Sequence, residues 1–348
     1  MGGFVHAGVK ESTQRPWRLV SLMPLPIDGV RALLGPHVER VELRVPASRA
    51  WDDVAASVAD AEIVFASWQG TSPLPFDKAL VDACGESLAF VQQPSVGVDS
   101  LDLDALAARG VPVSNTAGAN ALAVAQWCIG AALALARSLV WADAQVREGG
   151  WPQIEIAARY SVEINALRAG IVGFGPIGQE CARLLKAFGC EVSYWSRTPR
   201  PTEQEHGATY RTLDDLLAGS DLVISVLPLT PETRGLLDAR RLALLPRDAL
   251  IVDAGRGGVI DIDALVAAVE TGALGGVALD VYEEEPLAMS SPLRRSDRVV
   301  LSPHTAGSTR QSQIRMIAQA VENIRRVLDG EPVADVVNGV SPVVTRRA

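Results

Sequence analysis

The segment GFGPIG, at residues 173–178, constrains the fold of this chain most strongly, because it joins a short apolar run to an amphipathic stretch. A strand-to-helix turn that receives a pyrophosphate has three requirements. It needs a residue free to turn tightly, one without a side chain where the phosphates approach, and one that allows close helix packing. Gly173, Gly175 and Gly178 lie at these places. The segment therefore predicts a phosphate-binding turn.

The residues around this turn favour a dinucleotide-binding βαβ unit. Residues 169–172 are short and apolar, which is typical of a buried parallel strand. Apolar residues then recur at helical spacing from residue 177 to 188, and residues 191–195 predict the next strand. The N-terminus of the helix would face the phosphates. An ordinary glycine-rich turn in an α/β protein is the alternative, and this context disfavours it.

The residues that read the ribose of a dinucleotide lie about 20 positions beyond the glycines, at the end of the second strand. NAD enzymes place Asp or Glu there, whereas this chain has Ser196, Arg197, Thr198 and Arg200. Hydroxyls and a guanidinium suit a 2′-phosphate, and no carboxylate repels it. The segment predicts NADPH as the preferred cofactor, with NADH as a second dinucleotide. The alternative is that Arg197 stacks on adenine in an NAD enzyme or lies in solvent.

A chain of 348 residues exceeds what one hydrophobic core usually supports, so two domains are expected. Short apolar runs alternate with helical stretches from residue 17 to 118 and again beyond residue 200, which predicts two parallel α/β domains. We expect residues 1–117 and 307–348 to form a substrate domain, and residues 118–306 to form an inserted, doubly wound Rossmann domain. The amphipathic segment 309–329 would return to the first domain.

Composition and charge limit the partners and the compartment. The formal net charge of −9 argues against nucleic acid, which binds to basic surfaces. No apolar run is long enough for a membrane span, and the N-terminus lacks the apolar region of a signal peptide, so a cytoplasmic protein is expected. The scattered cysteines predict no disulfide and no metal site; they are Cys84, Cys128, Cys181 and Cys190.

The stretch of residues 119–140 is rich in alanine and leucine and is apolar over most of its helical surface. A helix this apolar should be buried against something large. We expect a homodimer that forms through the cofactor domain, and burial within the core of the same chain is an equally weighted alternative.

Three predicted strand ends carry groups suited to reducing the carbonyl of a 2-oxo acid. This reaction needs a cation to hold the carboxylate and polarise the ketone, and an acid to protonate the oxygen. Arg256 lies between glycines and suits the first task, because guanidinium binds carboxylate bidentately. His304 suits the second, and a carboxylate beside it would favour its protonated form. Glu285 is the expected partner, and the neighbouring Glu283 and Glu284 remain alternatives.

With these residues in this order, the chain resembles the D-isomer-specific 2-hydroxyacid dehydrogenases from about residue 17 to 337. The resemblance rests on the segments around Arg256, Glu285 and His304, on GFGPIG, on LPLTPETRGLLD at residues 227–238, and on residues 95–118. It implies a flavodoxin-like substrate domain beside the Rossmann domain. It also implies that Arg256 orients the 2-oxo acid, His304 is the acid/base, and Glu285 pairs with His304.

The resemblance also assigns residues that bind the cofactor and the substrate. Asp280 matches the family aspartate that holds the nicotinamide carboxamide, and the backbone amides of Val96 and Gly97 match the loop that binds the substrate carboxylate. Arg256 and His304 would contact the substrate as well. The remaining cofactor-binding residues implied are Pro176, Ile177 and Pro228.

The function that these observations predict is reduction of a small 2-oxo acid to a D-2-hydroxy acid with NADPH. Within the family, the chain is most similar to glyoxylate and hydroxypyruvate reductases. The segment at residues 195–198 also resembles the corresponding segment of these reductases. The alternative is a nucleotide-sensing interaction protein, since corepressors of the C-terminal-binding kind keep this fold. A corepressor needs a peptide groove and usually added tails, and this chain has little sequence beyond the two domains.

Overall fold

The computed structural model describes residues 15–68, 75–159 and 161–347. Its residues divide into two compact units, one within Met1–Ala119 and Ile314–Ala348 and the other within Asn120–Gln313. The sequence pattern indicated junctions at residues 118 and 307, and the structure has them at Asn120 and Ile314.

Twelve strands and twelve α-helices are formed by the described residues. In chain order the strands are β1 (Trp17–Ser21), β2 (Val41–Arg44), β3 (Ile63–Phe65), β4 (Phe90–Gln92), β5 (Val113–Ser114), β6 (Arg168–Val172), β7 (Glu191–Trp195), β8 (Thr209–Tyr210), β9 (Leu222–Ser225), β10 (Ala249–Asp253), β11 (Leu274–Leu279) and β12 (Val299–Leu301). The helices are α1 (Ile27–Leu34), α2 (Trp51–Val58), α3 (Lys78–Ala83), α4 (Leu103–Ala108), α5 (Ala121–Ala136), α6 (Leu139–Arg147), α7 (Glu155–Ala158), α8 (Pro176–Ala187), α9 (Leu213–Ala218), α10 (Ala239–Leu242), α11 (Ile262–Glu270) and α12 (Arg310–Asp329).

The first unit is built on a five-stranded parallel sheet of order β2-β1-β3-β4-β5. This is the flavodoxin-like order, and it confirms the predicted fold class for this part of the chain. The central strands β3 and β4 are buried along their whole length, as the continuous apolar runs at these positions predict.

The second unit is built on a seven-stranded parallel sheet of order β12-β11-β10-β9-β6-β7-β8. Strands β8 to β6 and β9 to β11 reproduce the doubly wound Rossmann order, and β12 extends it at one edge. The strand order reverses between β6 and β9. Ligands of such sheets bind outside the carboxyl ends of the strands at this reversal, which is where GFGPIG joins β6 to α8.

The apolar stretch after the first unit divides into a buried helix and an exposed one. Most residues of α5 are buried, and the helix packs on α8 and β10, so its apolar surface belongs largely to the core of its own unit. In contrast, α6 has no buried residue. Exposed apolar side chains instead cluster on α6 and just beyond it, at Leu139, Val140, Val146, Trp151 and Ile154.

Two further expectations concern membranes and metals. Within the described ranges, no single helix is long and apolar enough to cross a membrane, and only α5 and α6 together, bent by 62° at their break, reach that length. The four cysteines are buried free thiols. The described residues contain no group of three His, Cys, Asp or Glu side chains arranged to hold a metal ion.

Candidate active site

The glycine turn after β6 has the backbone that a pyrophosphate requires. Gly173 has φ of 102°, a conformation that favours glycine. A Cβ on Gly178 would lie 2.2 Å from the carbonyl oxygen of Gly173, so only glycine lets α8 pack this closely on the turn. A Cβ on Gly175 would meet nothing within 4 Å, which leaves open space at the N-terminus of α8. The turn therefore fits the phosphates of a dinucleotide.

The segment after β7 brings polar side chains next to this turn. Arg200 Nε donates to the carbonyl oxygen of Phe174, at 3.1 Å, inside the glycine turn. Ser196 is buried, and its hydroxyl donates to the carbonyl oxygen of Thr198 at 2.7 Å. Arg197 is exposed. Thus Arg200 and Ser196 hold the segment in place, and the guanidinium of Arg197 is accessible to solvent.

Arg256 lies on a turn after β10 that is packed tightly on both sides. A Cβ on Gly255 would lie 2.5 Å from the carbonyl oxygen of Leu227. A Cβ on Gly257 would lie 2.0 Å from the carbonyl oxygen of Tyr282, which is backbone of the segment that carries Glu285. The two glycines thus permit backbone-to-backbone packing that no side chain would allow, and this packing fixes the path of the chain through Arg256.

Sequence reasoning missed Asp253, which is the last residue of β10 and is 3% exposed. Its Oδ1 accepts a hydrogen bond from the backbone N–H of Gly255 at 3.1 Å. Burial raises the pKa of Asp253 to about 7, and the nearby Asp280 adds to the shift while Arg256 opposes it. The available signal was a carboxylate that directly follows the apolar run of a central strand.

Asp280 follows β11 and holds the loop that carries His304. Its carboxylate accepts hydrogen bonds from the backbone N–H groups of Thr305 and Ala306, each at 2.8 Å, and from the hydroxyl of Ser302. Asp280 is 2% exposed, so these bonds replace the water that the carboxylate loses on burial. A carboxylate has about four acceptor positions, so one further donor can still be accommodated.

His304 pairs with Glu285 across two neighbouring loops. The distance from His304 Nδ1 to Glu285 Oε2 is 2.8 Å, and Glu285 Oε1 accepts the backbone N–H of Tyr282 at 3.1 Å. Because a carboxylate only accepts, Nδ1 of the ring donates, and Nε2 is the nitrogen that faces other partners. The His304 side chain is 34% exposed, so substrate can reach it.

Of the three candidate glutamates, the structure therefore brings Glu285 to His304. Instead, Oε1 of Glu283 lies 3.3 Å from Nη1 of Arg234. His304 itself has φ of 55°, in the left-handed region where a residue other than glycine is strained. Such strain is often found at functional sites, where surrounding bonds hold the conformation. Here those bonds are the ones that Asp280 makes to the two residues after His304.

Val96 and Gly97 lie in the first unit, between β4 and β5. The carbonyl oxygen of Val96 accepts from Asn115 Nδ2 at 2.8 Å, and that of Gly97 accepts from the Ser95 hydroxyl at 3.1 Å. These bonds anchor the loop through its carbonyl groups. Binding of substrate by the backbone amides of the same two residues stays a prediction.

The second unit thus combines a dinucleotide turn, a guanidinium held on a rigid turn, and an imidazole oriented by a carboxylate. These parts are the ones expected of a dinucleotide-dependent dehydrogenase. The family model described as "D-isomer specific 2-hydroxyacid dehydrogenase, NAD binding domain" matches residues 129–306. The chain belongs to this family of NAD(P)-dependent oxidoreductases that act on CH–OH groups.

Relatives of known activity agree with this membership. The chain is 40% identical over 256 residues to a glyoxylate reductase of Aeropyrum pernix, covering 72% of this chain and 76% of that enzyme. It is 32% identical to a D-3-phosphoglycerate dehydrogenase of Synechocystis, covering 91% of this chain but only 58% of that enzyme. These relatives support reduction of a 2-oxo acid. The corepressor alternative gains no support from them.

Solved structures agree in fold. The D-mandelate dehydrogenase of Rhodotorula graminis superposes with a TM-score of 0.87 at 26% identity, covering 95% of this chain and 100% of that one. An NADPH-dependent glyoxylate/hydroxypyruvate reductase of Sinorhizobium meliloti, in complex with NADP and malonate, superposes with a TM-score of 0.79 at 29% identity, covering 96% and 100%. The second unit is therefore an NAD-binding domain of this family.

Proposed function

We propose that this protein reduces glyoxylate, hydroxypyruvate or a similarly small 2-oxo acid to the D-2-hydroxy acid with NADPH. The observation that carries the proposal is the hydrogen bond of 2.8 Å between His304 and Glu285, on a sheet edge that also carries Arg256. Proton donation to a ketone oxygen needs such an oriented acid.

The residues that would hold the cofactor lie on the carboxyl ends of β6, β7, β9 and β11. The pyrophosphate would bind to the turn of residues 173–178 and the N-terminus of α8. The bound dinucleotide supplies the hydride. The residues proposed for its ribose phosphate are Ser196, Arg197, Thr198 and Arg200, and those for its nicotinamide end are Pro228 and Asp280.

The chain's own groups bind the substrate and move the proton. Arg256 pairs with the carboxylate of the 2-oxo acid and polarises its carbonyl, and the amides of Val96 and Gly97 add hydrogen bonds to the carboxylate. His304 donates the proton on Nε2 to the carbonyl oxygen as this oxygen gains negative charge. Glu285 accepts the bond from Nδ1, orients the ring and stabilises the imidazolium before transfer.

The substrate proposal is tested with a panel of 2-oxo acids of increasing side-chain size. The assay follows NADPH and NADH oxidation with glyoxylate, hydroxypyruvate, pyruvate and phenylpyruvate. We expect the highest kcat/KM for glyoxylate and hydroxypyruvate. A preference for phenylpyruvate would contradict the proposed substrate class, and no oxidation with any acid would contradict the activity.

The cofactor proposal is supported by the absence of a carboxylate from residues 196–200 and by the exposed guanidinium of Arg197. Arg197→Asp should raise the Kd of NADPH by about tenfold or more, because a charge-assisted bond to the 2′-phosphate becomes a repulsion. The Kd of NADH should change about threefold or less. The measurement is titration of each dinucleotide by calorimetry.

Arg247→Asp is the matched control, because Arg247 is exposed and precedes β10, at the amino end of the sheet. It makes the same change in charge away from the cofactor edge and should leave both Kd values unaltered. Equal weakening of NADPH and NADH by Arg197→Asp, or tighter NADH than NADPH binding in the wild type, would contradict the proposed preference.

We further propose a homodimer that forms through the cofactor domain, by the exposed apolar side chains of α6 together with Trp151 and Ile154. Light scattering should give twice the mass of 36.9 kDa. Val146→Glu with Ile154→Glu should give the monomer, and a monomeric wild type would contradict this assignment.

We place the protein in the cytoplasm, where its free thiols stay reduced.

A further inference from the structure

The two segments proposed to bind the cofactor are linked by an aromatic pair beneath them. Tyr194 is the fourth residue of β7 and is fully buried. Its ring stacks on Phe174, with the ring centroids 3.8 Å apart and the planes at 22°. Phe174 lies between the first two glycines of the turn. The stack therefore joins the core side of the glycine turn to the strand that leads into residues 196–200.

The hydroxyl of Tyr194 extends the link to the backbone of the second segment. It accepts a hydrogen bond from the backbone N–H of Arg200 at 2.9 Å, and it donates to Glu205 Oε1 at 2.9 Å. Burial raises the pKa of Tyr194, so the hydroxyl keeps its proton and can donate at physiological pH. A buried hydroxyl that both donates and accepts fixes both partners.

Arg200 contacts both Tyr194 and Phe174, so the three residues form a closed ring of contacts. Its backbone N–H binds Tyr194, and its side-chain Nε donates to the carbonyl oxygen of Phe174 at 3.1 Å. Phe174 is thus linked to the second segment twice, directly through its carbonyl group and indirectly through its ring, which stacks on Tyr194. Residues 197–200 are exposed, so these contacts, together with the hydrogen bond from Ser196 to Thr198, anchor their position.

We propose that Tyr194 is a positioning residue, which fixes residues 196–200 against the glycine turn and thereby sets how tightly the protein binds the adenosine half of its dinucleotide. This inference rests on the proposed function, since it concerns the same cofactor segment. The guanidinium of Arg197 discriminates for a 2′-phosphate only if its backbone is held at a constant distance from the pyrophosphate turn. Tyr194 supplies that constraint without touching the cofactor.

The test is Tyr194→Phe, which keeps the stacked ring and removes only the hydroxyl. Dissociation constants of NADPH and NADH are measured by calorimetry, without substrate. We expect the Kd of NADPH to rise about fivefold and that of NADH about twofold or less, so that their ratio changes. A loss of stability alone would shift neither constant selectively, and the unfolding temperature is recorded for each variant.

Tyr210→Phe is the matched control. Tyr210 contacts the ring of Tyr194 edge-on, with centroids 5.6 Å apart, and its hydroxyl is outside the ring of contacts that holds residues 196–200. It should leave both constants within about twofold of the wild type. If Tyr194→Phe also leaves both within about twofold, or if Tyr210→Phe has the same effect as Tyr194→Phe, the inference is wrong.

If Tyr194→Phe folds poorly, variants of Glu205 test the same inference. Glu205→Gln keeps an oxygen that accepts the bond from Tyr194 and should behave as the wild type. Glu205→Ala removes the acceptor and should raise the Kd of NADPH about threefold; two variants with equal constants would overturn the inference. Tighter NADH binding in the wild type would contradict only the cofactor preference, and Tyr194→Phe should then weaken NADH instead.

Discussion

The carboxyl edge of the cofactor sheet has two halves that hold their functional groups in different ways. At the ends of β10 and β11, buried carboxylates accept backbone N–H groups: Asp253 from Gly255, and Asp280 from Thr305 and Ala306. At the end of β7, a neutral tyrosine hydroxyl holds the backbone, and the charged arginines are exposed.

The difference follows from what each half must do. In the proposed function, the half with Arg256 and His304 holds the reacting groups to within fractions of an ångström, and buried hydrogen bonds to carboxylates give that rigidity at the cost of desolvation. The half at β7 is proposed only to bind the ribose phosphate, and an exposed guanidinium can do so at a smaller cost of desolvation. Changes at Arg256 and His304 should therefore alter rates, and changes at residues 196–200 should alter cofactor affinity.

The largest effect is expected for His304→Ala. Loss of the proton donor should lower kcat by about 10²–10⁴-fold, while calorimetry should give an unchanged Kd for NADPH. Tyr210→Phe, in the other half, should leave kcat unaltered. If His304→Ala retains turnover, His304 is not the proton donor. If the variant loses affinity for NADPH, rate and cofactor affinity are not controlled separately by the two halves.

A smaller but still large effect is expected for Gly257→Ala. The new Cβ would lie 2.0 Å from the backbone of Tyr282, so the turn with Arg256 and the loop with Glu285 must move apart. We expect kcat/KM to fall about 100-fold, in line with the cost of small misplacements. Gly130→Ala is the control: its Cβ would meet nothing within 4 Å in α5, and it should keep full activity with equal or higher stability. Equal activity of the two variants would contradict this packing argument.

The smallest effect on rate is expected for Asp253→Asn, which keeps an oxygen for the N–H of Gly255. Its effect should appear in the pH dependence of stability. The pKa of about 7 in the folded protein lies above the unfolded value near 3.9, so the wild type loses stability as pH rises from about 4 to 7. Urea unfolding should give the variant a relative gain in the free energy of unfolding of at most about 1.4 kcal/mol per pH unit in that window. A difference that is constant with pH would mean that Asp253 is ionised throughout.

Strand ends and turns were predictable where a local requirement set them. Residues 191–195 form β7, as predicted. The apolar stretch that begins at residue 17 forms β1 only as far as Ser21, and Pro24 and Pro26 beyond it lack the N–H that a strand needs. Strand β8 escaped prediction, since two residues are too few to establish a period of two.

The sequence predicted the candidate reacting groups of the site but not the residues that hold neighbouring backbone in place. Arg256, Glu285 and His304 follow apolar runs in an order that the family shares, so the sequence points to them. Tyr194 was missed because only the folded chain shows what its hydroxyl contacts. Asp253 stands out as a carboxylate after an apolar run, but the sequence does not show that it accepts the N–H of Gly255. The apolar stretch after residue 118 was ambiguous for the same reason, and burial separated α5 from α6.

By itself the sequence determined the two parallel sheets, the glycine turn and the chemical types of the candidate reacting groups, because periodicity and glycine conformation are local properties of the chain. Only the tertiary structure decided which of three adjacent glutamates meets His304, that Asp280 holds the strained loop around His304, and that Tyr194 ties residues 196–200 to the glycine turn. These are pairings between distant segments, and hydrogen bonds and burial depend on which segments meet.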